Sequence, residues 1–206
     1  MSRASVLRAR TPLILAWIAG LSVTACATRG HVATPLEIAS LLQSQGLSAA
    51  GRLTLRGPQG RFSTGVVFGV ARPDSLRIEI PAGTGVRFLL VSANGALRAD
   101  LPQDDAMFAG PATAEVMDRL FGIDVSPKDL VTAILGAPPP AFRVGWRFDR
   151  SLPSQVIIDR ASGASLSLTL KDPEIEAPPG RAFEFGPPRN QSWTLQEMSD
   201  RLGLKR

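Results

Sequence analysis

Distinctive chemistry in this 206-residue chain is concentrated at Cys26, its only cysteine. Arg3, Arg8 and Arg10 form a positive leader, an apolar run extends from Leu13 to Ala25, and Val23-Thr24-Ala25 sets small residues directly before the cysteine. That combination is a bacterial lipobox, in which the thiol becomes the site of a lipid anchor. The apolar run is shorter than the roughly 20 residues needed to cross a bilayer, so it reads as a cleaved signal. A lone thiol in an oxidising compartment has no disulfide partner, and acylation gives it a use. Two or more acyl chains hold stably, at about 0.8 kcal/mol per buried methylene. The expectation is a signal peptide over 1–25, a lipidated tether over 26–34, and a water-soluble body held at a membrane. Ala27 stands where an aspartate signals inner-membrane retention in many Gram-negative bacteria. The expected location is therefore the outer membrane, facing the periplasm.

Other reactive constellations are missing from the sequence. His31 is the only histidine and falls in the tether, so neither a metal set nor a cofactor is expected. There is no Gly-x-Ser-x-Gly elbow, no histidine in the body to act as a base, and no phosphate-binding glycine loop, so no catalytic residues and no enzyme are expected. Asp104-Asp105 and the group Asp172, Glu174 and Glu176 are the carboxylates a glycosidase-like pair would need, but both lie near prolines and read as solvated loops. Loss of residues 1–25 removes three arginines and no acids, so the formal charge falls from +5 to +2. No basic cluster interleaved with aromatics appears, which argues against nucleic acid as a partner.

The elements that follow the tether are legible from capping and period. Thr34-Pro35-Leu36-Glu37 has capping-box spacing, predicting a helix from Pro35 to Gln45 with an apolar stripe at 36, 38, 41 and 42. Alternation then predicts strands through Leu53 and Leu55, through Phe62 to Val70, through Leu76 to Ile80, and through Val86 to Leu90, continuing at Leu97 and Leu101. Gln59-Gly60, Pro73-Asp74 and Asn94-Gly95 mark the reversals. Thr113 caps a helix through Phe121, and Ser126-Pro127 opens another ending at Gly136. Strands resume at Phe142 to Phe148, Val156 and Ile158, Leu166 to Leu170, and Phe183 with Phe185, with a turn at Ser162-Gly163. Thr194-Leu195-Gln196-Glu197 repeats the capping box and predicts a helix to Leu202.

A long antiparallel sheet with one apolar face cannot hide that face under a few short helices while flat, so it must curl. The fold class expected is mainly β with short α-helices (α+β). A strongly curved antiparallel sheet forms an unclosed barrel, with helices plugging the mouth and an apolar cavity.

The order of elements resembles the LolB family of outer-membrane lipoprotein receptors and the wider LolA/LolB-like group. The resemblance is most specific from Asp74 to Pro139, above all in Leu120-Phe121-Gly122-Ile123, Ser126-Pro127 to Leu130, and Ile134-Leu135-Gly136 before a proline. It divides the chain into a LolB-like domain over 35–190 and a C-terminal helical tail over 191–206 that matches nothing in the family. The resemblance implies a monomer whose cavity accepts lipid or lipoprotein acyl chains, delivered by a periplasmic LolA-like carrier. It also implies a membrane-delivery loop, Pro81-Ala82-Gly83-Thr84-Gly85. There Ala82 replaces the family's leucine, which weakens burial of the loop in a bilayer by about 1–2 kcal/mol.

Candidates for the acyl-cavity lining are Phe62, Phe68, Ile78, Phe88, Leu90, Met107, Phe108, Leu120, Leu130 and Ile134, on inward strand faces or mouth helices. Met107-Phe108, before Gly110-Pro111, is expected in a connection that could gate the cavity. Two other readings stay open: a structural lipoprotein that holds partners in an envelope assembly without a cavity, and a carrier for another hydrophobic cargo.

Overall fold

A computed structural model of the chain describes residues 30–57, 60–160 and 163–203. Cys26, the signal segment, the first residues of the tether, Gln59 and Ser162 lie outside the described residues. The strands are β1 (His31–Val32), β2 (Gly46–Gly57), β3 (Gly60–Ala71), β4 (Ser75–Ala82), β5 (Gly85–Ala93), β6 (Ala96–Leu101), β7 (Ala106–Pro111), β8 (Phe142–Asp149), β9 (Leu152–Arg160), β10 (Ser165–Glu174) and β11 (Gln191–Ser192). The helices are α1 (Pro35–Gln43), α2 (Ala114–Phe121), α3 (Pro127–Ile134) and α4 (Leu195–Leu202).

All strands join one curved, unclosed sheet in the order β1-β8-β9-β10-β2-β3-β4-β5-β6-β7-β11. Two meanders, β2 to β7 and β8 to β10, meet where β10 pairs with β2, and Gly51 lets them approach: a Cβ there would stand 2.1 Å from the Thr169 carbonyl oxygen. The sheet is mixed rather than purely antiparallel, because β11 pairs with β7 in parallel. The Asn94-Gly95 turn has φ of 53° and 75°, the two positive values a tight hairpin needs, and the Asp74 carboxylate accepts from both turn amides.

Inward residues of the strands and one face of α2 and α3 form a single apolar core. Phe88 of β5 meets Phe121 of α2 edge-to-face, with ring centroids 5.7 Å apart. Arg72 ties the helices to the sheet by donating to the carbonyls of Leu42 and Ser44, at the end of α1, and of Leu135, at the end of α3. These are carbonyls a helix terminus leaves without partners.

Three further expectations need correction. The α1 stripe does not face the core as a unit: Leu41 is fully buried, Ile38 is half-buried, and Leu36 is 82% exposed. Phe183 and Phe185 are not a strand. They belong to a strap over residues 175–190 that crosses the outer face of the sheet, with a 3-10 turn at Gly180–Phe183. Arg77 donates to the Ala182 carbonyl, and Arg98 to those of Gly186 and Pro187, which fixes the strap without pairing it as a strand. Met107 and Phe108 lie in β7 rather than in a connection, so they project to opposite faces of the sheet.

Candidate functional site

A pocket of about 510 Å³ opens at the mouth of the curved sheet. Phe62 and Thr64 come from the start of β3, Ile80 and Ala82 from the end of β4, and Arg87 and Phe88 from β5. Leu101, Gln103 and Asp104 arrive from the end of β6 and the 3-10 turn at Pro102–Asp104. Phe121 and Leu202 are the last residues of α2 and α4, and Gly122 and Gly203 in left-handed conformation stop each helix there. Hairpin ends and helix ends therefore converge on one opening. Its walls are half apolar, and polar groups stand around them.

The strongest polar feature is a forked contact. Arg201 Nε donates to Asp104 Oδ2 at 2.9 Å and Nη2 to Oδ1 at 2.7 Å, which pins the last turn of α4 to the turn after β6. Hydrogen bonding from Arg201, helped by its charge, holds the Asp104 carboxyl below its ordinary range and raises the Arg201 guanidinium. Arg87 is exposed on the pocket wall and makes no ion pair among the described residues.

The candidate lining is spread over four places. Phe62 and Phe88 line the open pocket. Phe68, Ile78, Leu130 and Ile134 surround a separate gap of about 10 Å³, room for a single water at most. Leu90 and Leu120 are fully buried in the core, and Phe108 packs there with its ring in the space Gly110 leaves open. Met107 is half-buried on the outer face, where Trp193 N donates to its carbonyl. The deep interior is packed, then, and the open volume sits at the mouth.

In the delivery-loop segment, Ala82 faces the pocket, Gly83 takes a positive φ of 55°, and Pro81, Thr84 and Gly85 are exposed. Sequence reasoning missed Arg87, Gln103, Arg201 and Leu202, and read Asp104 only as a solvated loop carboxylate. The capping box at Thr194 and Glu197 locates α4, but nothing in the chain says against what it packs. The segment read as a tail joins the core: Met198 is fully buried and the Ser199 hydroxyl donates to the Arg119 carbonyl of α2.

These features define the class of molecule: a curved, unclosed, largely antiparallel sheet wrapped on helices, with an opening at one end. No protein-family model and no curated protein sequence matches the chain. Similar solved structures include a LolA superfamily protein from Nitrosomonas europaea, with 10% identity over 73% of this chain and 96% of that one, at a TM-score of 0.42. An uncharacterized conserved protein from Thermus thermophilus is 8% identical over 77% and 95%, at 0.42. A DUF1329 family protein from Desulfovibrio piger is 9% identical over 72% and 93%, at 0.43.

Proposed function

We propose that this chain is a lipid-anchored protein of the outer membrane that takes an acyl chain of a lipid or lipoprotein into its mouth pocket. The observation that carries the reading is the pocket itself. About 510 Å³ falls within the roughly 300–1,000 Å³ of ligand clefts, and apolar walls from Phe62, Ile80, Phe88 and Leu101 stand next to Arg87 and Arg201. An amphiphile fits that division, its hydrocarbon against the rings and its polar end toward the arginines. The lipobox at Cys26 and the LolB-like pattern from Asp74 to Pro139 support the same reading. Hand-over from a LolA-like carrier belongs to it, with delivery weakened by Ala82.

Phe62 is the test position, because it is only half-buried and its replacement spares the packed interior. In the purified lipoprotein, Phe62→Glu should weaken binding of a fluorescent fatty acid at least about tenfold, since burying an unpaired charge costs more than the transfer of a phenyl ring gains. Unchanged affinity in a protein that still melts cooperatively removes the pocket from consideration. The packed interior favours a second reading, a structural lipoprotein with no ligand. Native mass spectrometry separates the two: a carrier emerges with co-purified lipid, a scaffold emerges empty.

A further inference from the structure

The outer surface of the sheet is covered by the strap over β4 and β6, where Arg77 and Arg98 hold it, and is bare over β8, β9, β10, β2 and the start of β3. Strand register aligns the bare residues in rows. One runs Arg147, Gln155, Thr169, Arg52; the next runs Gly145, Ile157, Ser167, Thr54, Ser63; the third runs Arg143, Asp159, Ser165, Arg56, Arg61. Two arginine rows thus flank a row of a glycine, an isoleucine and three hydroxyls, with a shallow depression of about 300 Å³ between the side chains of β2, β3, β9 and β10.

Nothing in the fold explains these charges. Arg52, Arg56, Arg61 and Arg143 are exposed and make no hydrogen bond or ion pair among the described residues, and Asp159 is the only carboxylate within the rows. Arg56 stands directly opposite Arg61, an arrangement that destabilises a strand pair. Unpaired guanidiniums beside hydroxyl donors are what phosphate recognition requires.

Two further observations choose the bearer of the phosphate. Val32, 74% exposed, pairs directly with Arg147, so an apolar side chain extends the same face. Arg147 also donates to the Gly30 carbonyl, and Gly30 is four positions beyond Cys26, a span of at most about 14 Å. An acyl anchor at Cys26 therefore keeps this edge of the sheet at the bilayer. The face is also broad: five strands at about 4.8 Å spacing exceed what one soluble phosphate occupies.

We propose that the outer face of β8, β9, β10, β2 and β3 docks on an anionic phospholipid surface, its arginines on the headgroup phosphates. The argument from tether length rests on the lipid anchor proposed above. Arg61 and Phe62 are consecutive on β3, one on the docking face and one at the pocket, so docking holds the pocket beside the headgroups.

The full chain, purified from membranes, is reconstituted into phosphatidylcholine vesicles with or without phosphatidylglycerol. A dye at Ser167→Cys, the only free thiol once Cys26 is acylated, is quenched by lipids bearing a nitroxide on the headgroup. Flotation with phosphatidylcholine alone reports the anchor; quenching reports the face. Strong quenching is expected in phosphatidylglycerol vesicles, falling several-fold at high salt and in the triple variant Arg52→Gln, Arg56→Gln, Arg61→Gln. Protein that floats but shows no quenching, or a triple variant quenched like the parent, overturns the docking. If the chain fails to float on phosphatidylcholine, the anchor reading falls alone. The face is then read from direct binding to phosphatidylglycerol vesicles, where the triple variant should lose roughly a hundredfold in affinity and equal affinity overturns the proposal. A dye that responds to inorganic phosphate but not to vesicles assigns the face to a soluble anion, and also overturns it.

Discussion

At the scale of single residues, the buried pair under the strap is a sensitive point of the fold. Arg98 and Asp100 are 7% and 3% exposed, joined at 2.8 Å, and Arg98 spends its other nitrogens on the strap carbonyls. Removing the carboxylate leaves a buried guanidinium without its counter-charge. Asp100→Ala should therefore cost about 3–5 kcal/mol in urea unfolding, while the double replacement Arg98→Met, Asp100→Leu should recover part of that loss. A single variant as stable as the parent would show that water reaches the pair. The sequence does not reveal this site, because Arg98 and Asp100 alternate with Leu97, Ala99 and Leu101 just as solvated residues would. Alternation reports which residues share a face, not whether another segment later covers it. The same limit applies at the pocket: Phe62 and Phe88 are legible as inward aromatics, whereas Arg87 and Asp104 have no local signal that marks a mouth.

At the scale of elements, the helices were legible to within two residues because their ends are chemical: Thr34, Thr113, Ser126 and Thr194 each accept a backbone amide at N3, and glycine ends α2 and α4. Their packing was not, as Leu36 shows. For α4 the packing has a pH signature. Because Arg201 lowers the Asp104 pKa from an ordinary value of 3.8, the carboxylate is favoured in the folded state. The stabilisation is fully present above that ordinary value and is lost as pH falls through the lowered one. Amide exchange in α4, corrected for intrinsic rate, should thus accelerate relative to α3 only in strongly acid solution. Asp104→Asn should show the faster α4 exchange already at neutral pH, with no comparable acid step. Exchange in α4 that ignores both pH and the substitution would mean that Met198 and the contact with α2 hold the helix without the ion pair.

At the scale of the molecule, a curved sheet was predictable from the number of one-sided strands, and the location of its open volume was not. Alternating residues specify an apolar inner face of a given area, but whether side chains fill the enclosed space depends on the volumes of residues far apart in sequence. Here Phe68, Ile78, Leu130 and Ile134 close the interior, and the space left over lies where strand ends and helix ends meet. In the function proposed above, the biological setting of that mouth depends on the anchor. With Cys26 acylated, a body with a formal charge of +2 would be held at a membrane by its lipid, and among the described residues no helix is long and apolar enough to cross a bilayer. Cys26→Ser removes the nucleophile proposed to carry the lipid but leaves the leader intact. The expected product in a Gram-negative host is an uncleaved precursor retained through its own apolar segment, with no incorporation of labelled palmitate. A Cys26→Ser chain processed to the same size as the parent would mean an ordinary signal peptidase cuts here, and the body would then be free in the periplasm rather than tethered.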